Sequence, residues 1–285
     1  MLSFVCHAFA ANAQNQPPGP FASYDLASEA ILGDPHDLTI GPDGRLYVAD
    51  KFNARIAVFD PETLELVQTL GDGMLPAVRD ISFGPGGAVA LAISGASLVG
   101  VYPSVEAIDA PPEKGIRAPN TEGALFHSSG QIYAMASGLG TVGRFDDLEL
   151  LGTAEGHFGA HDVAEAPDGS IWVADNRASR LVKYSAELER LQVLNGPQFG
   201  FIGPRYLDVT ETGLLVVADQ DAHRVLLIDP DGPNGGTLIG VIGDGSPGIG
   251  PNKFDDPEGV AVDGNRYFIS DSDNNRIVRY SVVLN

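Results

Sequence analysis

Six side chains able to bind ligands or move protons recur about one repeat apart: His36, Arg79, Glu122, His161, Arg205 and Glu258. Five of them stand eight residues before a turn glycine, at Gly44, Gly87, Gly130, Gly169 and Gly213; Glu258 is placed by alignment through Asp271. In order they read His, Arg, Glu, His, Arg, Glu, so residues three units apart share a type. Arg79 beside Glu122, and Arg205 beside Glu258, are expected to pair, because partly desolvated charges must be paired or bind something. Two imidazoles facing one another can share a metal, an anion or a proton. The arginines present planar forks that match a carboxylate. Tyr206, which follows Arg205, and His157 and His223, in segments expected on the same face, join the candidate set. Asp37, Asp80 and Asp162 directly follow ring residues and read as buried acceptors of backbone N–H groups rather than general bases. His127 falls near the opposite turns.

The elements that position these residues come from an internal repeat. Pro35 to Asp60 carries an alternating segment, an Asp-Gly turn, Leu46-Tyr47-Val48-Ala49-Asp50, and then Asn53 and Arg55-Ile56. The same grammar returns at His161 to Tyr184, Leu207 to Asp229 and Gly259 to Tyr280, with weaker copies from Asp80 and from Ala124. Each unit reads as four short strands, and units of roughly 40–50 residues of that kind are propeller blades. The fold expected is all-β, a six-bladed β-propeller over residues 21–285. The last unit lacks a full fourth strand and Phe21 to Ala27 has no unit of its own. That segment is expected to supply the outer strand and close the ring. Asp50, Asp175, Asp219 and Asp271 are expected to accept backbone N–H bonds at strand ends, beside Arg55, Arg180, Arg224 and Arg276. Asp219/Asp221 and Asp271/Asp273 lack the spacing of an EF-hand calcium loop. Trp172, in the place of Tyr47, reads as blade core, and Asp244 to Asp256 as a loop or lid over the mouth.

The Gly-x-x-Tyr-Val-Ala-Asp and Asn-x-Arg-Ile elements resemble the NHL-repeat family of six-bladed β-propellers. Within it the site is similar to that of the peptidyl-α-hydroxyglycine amidating lyases. That resemblance implies a zinc held by three histidines near the channel, with Tyr and Arg nearby. His36 and His161 match ring positions, leaving His157 or His223 to supply a third ligand. A zinc would need neutral imidazoles and an open coordination position. Metal-dependent lactonase and esterase propellers share the fold, but their calcium needs Glu, Asn and Asp; the ring offers Glu122 and Glu258 and no Asn. Two functions follow as expectations. One is an exported module that binds a small carboxylate, a peptide or a protein partner at the channel mouth, or serves as an envelope scaffold. The other is a metal-dependent lyase or hydrolase.

Composition removes other classes. The 285 residues carry 17 basic and 38 acidic side chains, a net charge of −21. Such a chain has no long-range attraction for nucleic acid or anionic membranes. A chain that is 44% hydrophobic and 19% charged has the makings of a large core. No apolar stretch after the N-terminal segment is long enough for a transmembrane span. The single cysteine, Cys6, leaves the folded part without a disulfide. Apolar Leu2 to Ala10 before Ala11-Asn12-Ala13 reads as a signal peptide over 1–13 whose basic start is missing. Residues 14–20 read as a polar linker, and the protein as periplasmic or secreted.

Overall fold

The computed structural model describes residues 21–284. The readings made for 1–20, the signal segment, Cys6 and the linker, lie outside them. Six antiparallel four-stranded sheets form the blades of a propeller. The first strands of blades 1 to 6 are Pro35–Ile40, Val78–Phe83, Ala124–Phe126, Asp162–Glu165, Pro204–Val209 and Pro257–Asp263. All six turn glycines, including Gly264, adopt φ between 59° and 87°, a region nearly closed to residues with a Cβ.

The second strands are the buried heart of each blade. Leu46–Asp50, Val89–Ile93, Ile132–Ala136, Ile171–Asp175 and Leu215–Asp219 are buried throughout. Both faces of such a strand meet a neighbouring blade, so alternation gives way to runs of Val, Ile, Leu and Ala. The core is accordingly divided into apolar clusters between adjacent blades, such as Tyr47, Ile56, Ile81 and Leu91 between blades 1 and 2. Trp172 fills the cluster between blades 4 and 5. Phe21–Ala27 pairs antiparallel with Arg276–Val283 as the outer strand of blade 6, with Tyr24 opposite Tyr280. This is the expected closure, and it leaves the ring without an open seam.

Three of the four strand-end aspartates act as expected, and Asp175 accepts from His157 and Arg180 instead of a backbone N–H. Asp50 accepts from the Gly33 N–H at 2.7 Å and from Arg55 Nε at 2.7 Å. Asp219 accepts the Ile202 and Gly203 N–H groups, and Asp271 that of Asp255, each with its arginine alongside. These bonds fix the loops that enter the first strands of blades 1, 5 and 6, and so set the height of His36, Arg205 and Glu258. The long loop between blades 5 and 6 differs from the lid expected of it. Asp244 N–H donates to the Asn252 carbonyl, Asn274 donates to that of Gly248, and Phe254 is fully buried. The loop is strapped down on blades 5 and 6.

Candidate functional site at the channel mouth

Each ring residue heads the first strand of its own blade, and the six converge where these strands begin. The blades approach closely here. A Cβ on Gly123 would lie 2.6 Å from the His161 carbonyl, and one on Gly259 2.4 Å from that of His36. Glycine after each glutamate is what lets the next blade's histidine come alongside. The expected ion pairs form: Arg79 Nη1 to Glu122 Oε2 at 2.9 Å, and Arg205 Nε to Glu258 Oε2 at 3.3 Å. Each glutamate also meets a histidine, His161 Nε2 at 3.9 Å from Glu122 and His36 Nδ1 at 2.6 Å from Glu258. The ring is therefore two half-rings, Arg79–Glu122–His161 and Arg205–Glu258–His36, related by a pseudo-twofold axis along the channel.

Tyr206 joins the halves. Fully buried, its hydroxyl donates to the Glu122 carbonyl at 3.1 Å and lies 3.4 Å from His36 Nδ1. Its ring stands edge-on to His36 and His161, with centroids 6.1 and 6.5 Å away. The imidazoles thus meet a phenol rather than each other. Burial, with Glu122 and Glu258 nearby, drives the Tyr206 hydroxyl well above the usual tyrosine range.

Burial likewise holds His161 well below its ordinary value, with Arg205 and Arg79 adding to the effect, so this imidazole is neutral at pH 7. Burial outweighs the nearby arginines for Glu122 and raises its carboxyl. In the Arg79–Glu122–His161 half, Arg79 Nε and His161 Nδ1 are buried without a hydrogen-bond partner. Orphaned atoms of this kind are rare in folded proteins and concentrate at sites that meet ligands.

Two of the four candidate metal-binding histidines stand elsewhere. His157 is buried in the blade 4 entry loop, with Nδ1 3.2 Å from Asp175 and Nε2 2.7 Å from the Tyr184 hydroxyl, so both nitrogens are spent on structure. There it replaces the backbone donor that the other strand-end aspartates use. His223 caps a turn at the rim, where Nδ1 accepts the Asp256 N–H. A zinc held by three histidines does not fit this arrangement. The group with metal-ligand proximity among the described residues is Asp34, His36 and Glu258. Lys51 pairs with Asp34 and Arg205 with Glu258, so both carboxylates already face cations. His127 lies at the opposite end of the channel, bonded to Ser129 and the Gly169 carbonyl.

Below the ring, Asp80 and Asp162 accept backbone N–H groups of Ala124 and Leu207, as expected, and Asp37 accepts that of Leu38 while also meeting Asp80. Asp208, three residues after Arg205 on the same strand, accepts the Val262 N–H.

The half-rings differ in what surrounds them. Blades 2 to 4 open into a cavity of about 500 Å³, lined by Arg79, Glu122 and His161 together with Ser94, Asn120 and Arg177. Arg177 makes no ion pair among the described residues, and the exposed Phe158 forms one wall. The other half-ring is filled. Gln220 accepts from Arg205 and donates to Asp256 at 2.6 Å and Glu258 at 3.1 Å. Spacing did not single out Ser94, Asn120, Arg177 or Gln220. The signal available was the residue directly after each second strand, which is Ser94 in blade 2 and Gln220 in blade 5.

Six radial blades around a polar channel mouth define a six-bladed β-propeller. The NHL repeat model matches residues 32–59 and 254–280. These two matches fall on blades 1 and 6, so the chain carries NHL repeats there. It is 30% identical over 154 residues to peptidyl-glycine alpha-amidating monooxygenase A of Xenopus laevis, a match covering 53% of this chain and 13% of that protein. The chain thus spans a small part of that relative's length.

Solved structures with the same fold include virginiamycin B lyase from Staphylococcus aureus, at a TM-score of 0.65 and 13% identity over 93% of this chain and 100% of that one. The PQQ-bound aldose sugar dehydrogenase of Streptomyces coelicolor gives 0.68 and 15%, over 94% and 100%. An auxiliary nutrient binding protein of Bacteroides thetaiotaomicron gives 0.67 and 15%, over 94% and 77%. At these identities the likeness is one of fold alone, and a shared fold hosts unrelated functions.

Proposed function

We propose that this propeller is a binding module that takes a small carboxylate-bearing ligand, such as an organic acid or a peptide end, in the open half of its channel mouth. The observation that carries the reading is the cavity that Arg177, which makes no ion pair among the described residues, lines together with Arg79, Glu122 and neutral His161. A guanidinium fork gives a carboxylate two parallel charge-assisted bonds. Phe158 offers apolar area beside them, and a concave site with few convergent polar groups is the usual form of a small-ligand pocket. The fold neighbour that binds nutrients supports the same class. The apolar N-terminal stretch and small-residue motif support an exported, periplasmic or secreted, setting.

Calorimetric titration with a panel of N-acetyl amino acids tests this. Arg177→Ala is expected to weaken binding about tenfold, the size of one charge-assisted bond, with no change in the unfolding midpoint. Binding that ignores Arg177 and Arg79 overturns the reading.

The second reading, a metal-dependent lyase or hydrolase, rests on Asp34, His36 and Glu258. Elemental mass spectrometry of the untagged protein separates the two. About one transition metal per chain, lost in His36→Ala, would move the assignment to that group. Ligand binding unaffected by chelators keeps it with Arg177.

A further inference from the structure

The filled half-ring shows which group the open one is shaped to hold. Gln220 and Ser94 begin equivalent turns, Gln220–Ala222 and Ser94–Ala96, each closed by a left-handed residue, His223 at φ 49° and Ser97 at φ 51°. Asp256 and Asn120, two residues before the ring glutamates, are also both left-handed, at φ 59° and 49°. The correspondence extends to the next turns, where Ser137 donates to the Ala160 carbonyl and Ser272 to that of Pro35.

In blade 5 the Gln220 carboxamide runs from the ring arginine to the ring glutamate, accepting from Arg205 and donating to Glu258 and Asp256. In blade 2 the shorter Ser94 leaves the same span to the cavity. The groups around it are of the same types, with Arg79 as donor and Glu122 and Asn120 offering oxygens. Arg79 Nε has no hydrogen-bond partner, and Glu122 Oε2 is held by Arg79 Nη1 at 2.9 Å.

We propose that the open half-ring reads a primary carboxamide, so that the ligand carries a carboxamide alongside the carboxylate held by Arg177; this rests on the binding reading above. A carboxamide supplies one acceptor and two donors in one plane. Its carbonyl faces Arg79, and its NH2 serves Glu122 and Asn120. A carboxylate in the same place has no proton to give and sets its charge against Glu122, which is repulsive in a partly desolvated site. The carboxylate-bearing amide is therefore preferred over the matching diacid.

The probes are N-acetyl-L-glutamine and N-acetyl-L-glutamate, titrated calorimetrically into the full chain. The amide is expected to bind at least about tenfold tighter, the effect of leaving a buried acceptor unpaired. Ser94→Gln, which copies blade 5, is expected to abolish binding of both. Glu122→Gln is expected to remove or reverse the preference, a result independent of how Ser94→Gln folds. Equal binding of the two probes, or tighter binding of the diacid, overturns the carboxamide assignment and leaves the carboxylate site standing. If neither probe binds, both readings fall.

Discussion

The two half-rings use the same three residue types in the same order and differ in what stands behind them. Behind Arg205–Glu258–His36 lie Gln220, Asp256, Asp34 and Lys51, and the polar groups are largely spent on one another. Behind Arg79–Glu122–His161 the corresponding places hold Ser94, Asn120, Gly159 and Asn176, which are shorter or uncharged. His36 is wholly buried, whereas the His161 side chain keeps 13% of its exposure. One mouth thus contains a structural plug and a cavity built from the same parts. A ring of charged residues is then no evidence for a site by itself. The supporting positions decide which half closes on its own side chains and which has groups left for a ligand.

The comparison makes its largest prediction in stability. Glu258 is nearly buried and serves Arg205, His36 and Gln220 together. Glu258→Ala strands these groups, and breaking such a buried pair costs about 3–5 kcal/mol. Glu122→Ala, beside a cavity that admits water, is expected to cost about 1–2 kcal/mol. Urea unfolding of both variants checks this, and equal losses would mean that the halves do not differ as plug and cavity.

Much of the fold was legible because it repeats. The turn glycines and the Val-Ala-Asp strand ends recur with the period of a blade, and the incomplete last unit pointed to the N-terminal strand that closes it. The ring was legible for the same reason, since one register locates all six residues. His157 was misplaced because its role depends on Asp175 and Tyr184, which distant pairing brings to it. Sequence distance from His161 carried no trace of that. Gln220 and Arg177 were missed because a single long side chain after a strand looks like any surface residue. Its meaning lies in the neighbouring blade.

The second prediction follows the channel inward, where the halves again differ at matched positions. Ser82 accepts the Phe126 N–H, and Asp208 accepts the Val262 N–H in its place. Burial pushes the Asp208 carboxyl up to about 6. A carboxyl raised in the folded state contributes stability that is complete below its unfolded value near 4 and is lost as pH rises through about 6. Its contribution amounts to at most about 3 kcal/mol between those limits. His161, held low, works in the opposite sense, because stability falls as pH drops below its unfolded value near 6.5. Asp208→Asn is expected to leave unfolding free energy falling less steeply between about pH 4 and about pH 6. An unchanged slope would show that Asp208 titrates normally.

The smallest effect concerns the residue that breaks the twofold symmetry. Tyr206 stands where its counterpart across the channel is Asp80, and its hydroxyl links the Glu122 carbonyl to the neighbourhood of His36. Tyr206→Phe keeps the ring that separates the imidazoles and removes only that hydroxyl. The Glu122 carbonyl loses one donor, so the cost is about 1 kcal/mol, the net worth of a neutral hydrogen bond. The stronger of the hydroxyl's two contacts falls on the backbone beneath the open half, and ligand binding there should weaken by about two- to fivefold while the Glu258 contacts to Arg205 and Gln220 stay in place. Larger damage to stability than to binding would instead place Tyr206 with the plug, and the boundary between the halves would have to be redrawn on its other side.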